Sequence, residues 1–131
     1  MPTKSYLVIL SLGTIMLTAA APTDVLTGVW GGGRATLTLD ATGGTLIEDC
    51  QTATLAGPVR PSADGRFVAV ARREIHGGGP QVADIPPTLI DIRLTGKLTA
   101  DRLELDVDMP GVATERLILS PGRRIKAIRC L

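Results

Sequence analysis

Polar and apolar residues trade places one by one over much of the chain. Arg102, Glu104, Asp106 and Asp108 alternate with Leu103, Leu105, Val107 and Met109, and a period of two marks a strand buried on one face. Ala35, Leu37 and Leu39 alternate in the same way with Thr36, Thr38 and Asp40. Further strands are expected over 45–50, 53–55, 66–75, 88–94, 114–119 and 125–130, rich in the Thr and Val that suit a pleated surface. Turn-forming residues punctuate them at Ala41-Thr42-Gly43-Gly44, Ser62-Ala63-Asp64-Gly65, Gly96-Lys97, Ala100-Asp101, Pro110-Gly111 and Pro121-Gly122. Such signals every eight to twelve residues or so are the spacing of an antiparallel all-β domain.

About eight short strands in sequence, joined by tight turns, close most simply into a small antiparallel up-and-down barrel, which also removes exposed edges. A two-sheet β-sandwich is the alternative. Strands this short enclose a narrow interior that Leu, Val, Ile and Ala fill. Trp30 follows Gly28 and Val29 at the start of the first strand, where its indole would plug one end of the barrel. Gly31-Gly32-Gly33 leads into Arg34 and a strand rather than into Lys-Ser and a helix, so it cradles no phosphate. Its expected role is backbone freedom at the barrel entrance.

Before these strands, the chain reads differently. Met1 to Ser5 carry one positive charge, and an apolar run follows from Tyr6 to Leu17. A run this short falls below the roughly 20 residues a spanning helix needs. Thr18-Ala19-Ala20-Ala21-Pro22 then offers the small residues of a cleavage site. Residues 1–20 are therefore expected to form a helical signal peptide and residues 21–131 a single β-barrel domain, periplasmic or secreted.

Export changes the reading of the cysteines. Cys50 and Cys130 are the two in the chain, and outside the cytosol an intramolecular disulfide is the default. It would close a loop of about 80 residues, worth about 4–5 kcal/mol on the chain-entropy model. Once Lys4 leaves with the leader, basic and acidic side chains balance. A neutral chain exerts no general pull on nucleic acid or anionic lipid. The local cluster Arg123, Arg124, Lys126 and Arg129 lacks stacking aromatics and reads as a solvated edge.

Catalytic chemistry finds little to work with. Ser62 and Ser120 sit in Pro/Gly turn contexts rather than in a Gly-x-Ser-x-Gly elbow. A cysteine nucleophile is lost to the disulfide, and a single histidine builds no His-rich zinc site. His76 with Glu74 and Asp84 makes at most a weak ion site, and the bland reading is a polar loop histidine. Glu104, Asp106 and Asp108 lack the loop geometry of a calcium site and are expected to pair with Arg102, Arg116 or solvent. No catalytic residue, metal or cofactor is expected. The stretch 75–87 is the longest irregular piece, and a loop of that length in a compact domain is often functional. Glu74, His76, Gly77, Gly78, Gly79 and Pro80 are its candidate contact residues.

The set Gly28-Val29-Trp30-Gly31-Gly32, Asp49-Cys50, Gly65-Arg66-Phe67, Arg73 to Pro80 and Cys130-Leu131 resembles a family of secreted bacterial proteins to which no activity is assigned. That resemblance implies the architecture and the disulfide but no catalytic residue. Members often carry Glu-His-Gly-Gly-Pro, whereas here Ile75 separates Glu74 from His76 and three glycines follow. The Gly-x-Trp start before a small barrel also resembles the calycins, meaning lipocalins and bacterial inhibitors of secreted metalloproteases. In the inhibitor version, 21–27 would be the segment that enters a protease cleft. The expected function is thus a non-catalytic, disulfide-stabilised, monomeric binding or interaction module for a protein or small ligand. The alternatives are an inhibitor of secreted proteases and a carrier of a small apolar ligand.

Overall fold

The computed structural model describes residues 13, 24–75, 86 and 88–126. The expected leader, apart from Gly13, lies outside them, as do His76 to Pro80 and Cys130. The described chain is all-β. Eight strands follow one another as β1 (Gly28–Gly32), β2 (Ala35–Leu39), β3 (Gly44–Glu48), β4 (Gln51–Leu55), β5 (Arg66–Ile75), β6 (Thr88–Leu98), β7 (Leu103–Asp108) and β8 (Glu115–Pro121). Every neighbouring pair is antiparallel, and β1 also pairs with β8, so the sheet is a closed up-and-down barrel. A two-sheet sandwich is thereby set aside.

The alternation dictates which face each side chain takes. Leu103, Leu105 and Val107 point inward and lie opposite Leu119, Leu117 and Glu115 on β8. Leu37 meets Leu46 across β2 and β3, and Leu94 meets Val107 across β6 and β7. Leu37, Leu46, Ile92, Leu94, Leu103, Leu105 and Leu119 are the largest side chains removed from water. Each such burial stabilises the fold by about 1.5–3 kcal/mol before the entropy of ordering is subtracted. Trp30 faces the same interior opposite Leu37, half-buried against the core, and its indole N–H points to the Thr27 carbonyl at 3.4 Å.

Three expectations need correction. Gly96-Lys97 is not a turn but part of β6, which runs on to Leu98. Gly96 stands opposite Phe67, and a Cβ on it would lie 2.1 Å from the ring, so the glycine makes room for the phenyl group inside the barrel. Of the three glycines expected to give backbone freedom at an entrance, Gly33 does so, with φ of 60° in the β1–β2 turn, whereas Gly31 and Gly32 lie within β1 on the closing seam. A Cβ on Gly32 would lie 2.0 Å from the Ile118 carbonyl oxygen, and one on Gly31 2.0 Å from that of Arg123. The third concerns 125–130, where Ile125 and Lys126 belong to no strand and the remaining residues lie outside those described.

Residues 122–126 instead cross the outside of the barrel. The Gly122 N–H bonds to the Val29 carbonyl at 2.6 Å. The Ile125 N–H then bonds to Thr36 Oγ1 at 2.9 Å, and that hydroxyl donates to the Ile125 carbonyl at 3.3 Å. Thr36 faces outward, and this strap accounts for its burial. At the turns, Asp40 accepts the N–H groups of Thr42 and Gly43, the local pattern that favours Asp before a tight turn.

Gly96→Ala forces the new methyl into the Phe67 ring and should cost about 1–3 kcal/mol in urea denaturation. In a Phe67→Leu background the same change should cost clearly less, because the two residues share one space.

Candidate functional site

One end of the barrel carries the β1–β2 turn, the β3–β4 turn and the β7–β8 connection, and the strand ends that β5 and β6 present there flank the stretch 76–87. Here the apolar interior gives way to charge. Register places Glu48 of β3, Arg73 of β5 and Glu115 of β8 on the inward face, where Leu46, Ala71 and Leu117 precede or follow them by two residues. Among the described strand residues these are the inward-facing ionisable groups. Their strands are not neighbours in the sheet, so they meet across the lumen.

Arg73 is 4% exposed, and its Nη2 donates to Glu48 Oε1 at 2.6 Å. Its Nε, also buried, has no hydrogen-bond partner. Glu48 is itself pushed up to about 7, first by burial and then by the hydrogen-bonding reach and negative charge of Glu115; Arg73 pulls the other way and does not win. Glu48 is largely out of water whereas Glu115 is exposed, and burial makes the Glu48 charge costly even beside a guanidinium. Above them Arg34 in the β1–β2 turn reaches Asp49 in the β3–β4 turn at 3.0 Å, tying two turns of the rim. That exposed pair is worth little in energy.

Cys50 follows Asp49 at the tip of the same rim, exposed, with φ of 61°. This left-handed conformation costs a residue with a Cβ about 1–2 kcal/mol, which is why glycine or asparagine is usual there. No free cysteine occurs among the described residues.

Other expected residues fall elsewhere. Glu74 lies next to Arg73 on β5 but on the opposite face, paired in register with Thr52 and Leu89. The remainder of the candidate contact loop, His76 to Pro80, is outside the described residues, so its relation to the mouth is left aside. Asp106 pairs with Arg116 through two contacts, at 3.0 and 3.3 Å, and this holds its carboxyl below the ordinary range. Asp108 bonds to Thr114. Ser62 is taken up by Asp64 and by the Arg66 carbonyl in its turn, with no histidine among its partners. Among the described residues no group of three His, Cys, Asp or Glu side chains is placed to hold a metal ion.

At the opposite end a shallow cleft of about 690 Å³ runs between 24–27, 61–65 and 98–100. It contains no buried charged group. Leu26 is anchored there, buried and bonded through its N–H to the Val59 carbonyl at 2.8 Å. This part of 21–27 is therefore built into the barrel rather than held out as a free arm.

Sequence reading named Arg73 only as part of a motif and missed Glu48 and Glu115. The available signal was a break in alternation, a charged residue at an inward position of three separate strands. The strand registers that bring the three together have no local signature.

Arg73→Ala leaves the buried Glu48 without its cation and should destabilise the fold by about 3 kcal/mol. Glu48→Gln combined with Arg73→Met should recover most of that loss, because the pair is then replaced rather than broken. Urea denaturation of the three proteins checks this.

No known protein family, curated protein or solved structure matches the chain.

Proposed function

We propose that the protein is an exported, non-catalytic binding module, periplasmic or secreted, stapled by a Cys50–Cys130 disulfide, and that it engages its partner with the charged rim of the barrel. The observation that carries this reading is the contrast between interior and mouth. The interior is filled by aliphatic side chains, whereas Arg34, Asp49, Glu48, Arg73 and Glu115 gather at one end. A rigid barrel with short turns holds such groups in place at low entropic cost, which favours recognition.

The disulfide is supported from two sides. A residue with a Cβ occupies a left-handed turn position where only its sulfur justifies the cost. The strap also points the right way: Ile125 sits on Thr36, which pairs with Ile47, three residues before Cys50. Five residues extend from Ile125 to Cys130 and span up to about 17 Å, while Ile47 to Cys50, which ends in the β3–β4 turn, covers at most about 10 Å.

A wall in contact with lipid is disfavoured by the outward positions of β5 to β8. Arg72, Asp91, Arg93, Glu104, Asp106 and Arg116 stand there among Val68, Val70, Leu89 and Ile118, which interrupts the apolar band a membrane barrel carries. No helix among the described residues is long and apolar enough to cross a membrane.

Intact mass of the exported protein should show loss of 1–20 and a gain of two hydrogens on reduction. Cys50→Ser should lower stability by up to about 4–5 kcal/mol. For the binding role, the partner is sought from culture medium with the immobilised protein. Reversing the rim pair, Arg34→Glu with Asp49→Lys, should abolish its retention, whereas reversing Arg72 and Asp91 on the wall should not. Equal retention by both variants removes the rim from the reading.

A further inference from the structure

We propose that the outer wall formed by β5, β6 and β7 carries a second binding site, a groove for an extended peptide in which a carboxylate stands between two aliphatic side chains. Exposed aliphatic residues are the first support. Val68 and Val70 are 56% and 61% exposed on consecutive outward positions of β5. Two valines more than half in water add little to the fold, and side by side they make an apolar strip. Met109 and Pro110, where β7 gives way to its turn, make a second strip. A groove of about 540 Å³ runs between the two and is floored by β6 around Arg93.

Register sets the order across this wall. Val70 of β5 lies opposite Arg93 of β6, and Arg93 lies opposite Asp108 of β7, which Met109 and Pro110 follow. Crossing strands at about 4.8 Å each, the surface reads aliphatic, cationic, then aliphatic past Asp108.

Charge is the third support. Arg66, Arg72 and Arg116 on the outer wall each have an acid beside them, Asp64, Asp91 and Asp106. Arg93 is exposed and makes no ion pair among the described residues. Its neighbouring carboxylates are engaged elsewhere, Asp91 with Arg72 at 3.5 Å and Asp108 with the Thr114 hydroxyl. A guanidinium with unused donors between two apolar strips selects a carboxylate with aliphatic neighbours, because that hydrogen bonding is charge-assisted and planar.

An extended peptide meets this order. Its same-face side chains recur about every 7 Å, so aliphatic, acidic and aliphatic residues at alternate positions reach from Val70 over Arg93 to Met109. A small carboxylate fits less well, because an open groove leaves much of such a molecule in water. The site lies on the wall and is separate from Arg34 and Asp49 in the rim turns.

Titration of the full chain with acetyl-Thr-Leu-Thr-Glu-Thr-Leu-Thr-amide, followed by amide NMR, is the test. Shifts should gather at Val68, Val70, Arg93 and Met109. Arg93→Gln should weaken binding about tenfold, and Val70→Ser about fivefold. Lys97→Gln removes a cation from the same strand outside the groove and should change affinity less than about twofold. With Gln in place of the peptide's Glu, the unmodified protein should lose the same factor of about ten and Arg93→Gln nothing further. That comparison decides even if a protein variant does not fold. No shifts at millimolar peptide, shifts confined to the rim turns, or equal losses in Lys97→Gln and Arg93→Gln overturn the proposal. Octanoate binding as tightly as the peptide overturns it in favour of a small carboxylate. Wall shifts that grow with protein concentration alone overturn it in favour of a second copy.

Discussion

Closure of eight short strands requires the first and last to approach within a ladder spacing, and everything else in this molecule follows from how that is achieved. β1 and β8 meet in register at Trp30 with Pro121 and at Gly31 with Ser120. Neither Gly31 nor Gly32 could carry a side chain there, since carbonyl oxygens of Arg123 and Ile118 occupy the space. Glycine in a strand is ordinarily a loss of order and of packing area. At Gly32 it is the condition for β8 to close on β1, and at Gly31 for residues 122–126 to lie against the wall. A closed sheet has no free edge to pair with another copy.

Closure also determines the scale of the interior. A barrel this narrow is a packed core, and one bulky ring must be matched by one absent side chain. Phe67 and Gly96 are that pair, on adjacent strands and in register. The aliphatic filling extends as far as Val107 and Leu117, and polarity begins one inward position further along. The change is abrupt because inward positions lie two residues apart along each strand. Burial of Glu48 against Arg73 is thus a consequence of barrel diameter: side chains on strands that are not neighbours come within reach only when the lumen is narrow.

A buried ion pair is weak evidence for stability, since the cost of taking both charges out of water offsets much of their attraction. Its value here lies in position. Arg73 and Glu48 take inward positions towards the mouth, Arg73 level with Ala53 and Leu46 and Glu48 one inward position further out, and they give that end a directional chemistry that Leu and Ile lack. Cys50 belongs to the same rim. The strap that follows β8 lies across Thr36 on the outer wall.

Local pattern alone settled much of the architecture. Alternation in β7 and β2 named the inward residues correctly, and turn residues around Asp40 and Ser62 stood where expected, because both signals depend on the neighbouring few residues. It misread Gly96-Lys97 as a turn, since a glycine that opens a bend and one that admits a neighbour's ring look alike in one dimension. It placed a strand at 125–130 where the described tail instead lies across the outer wall, because apolar spacing does not say which neighbour is free to pair. The charged mouth was invisible for a deeper reason. Glu48, Arg73 and Glu115 lie far apart in the chain and on strands that are not paired, and only closure of the whole sheet brings them face to face. The sequence by itself determined which residues turn inward and where most strands end; the tertiary structure decided which inward residues meet, because contacts across a lumen depend on the register of every strand between them.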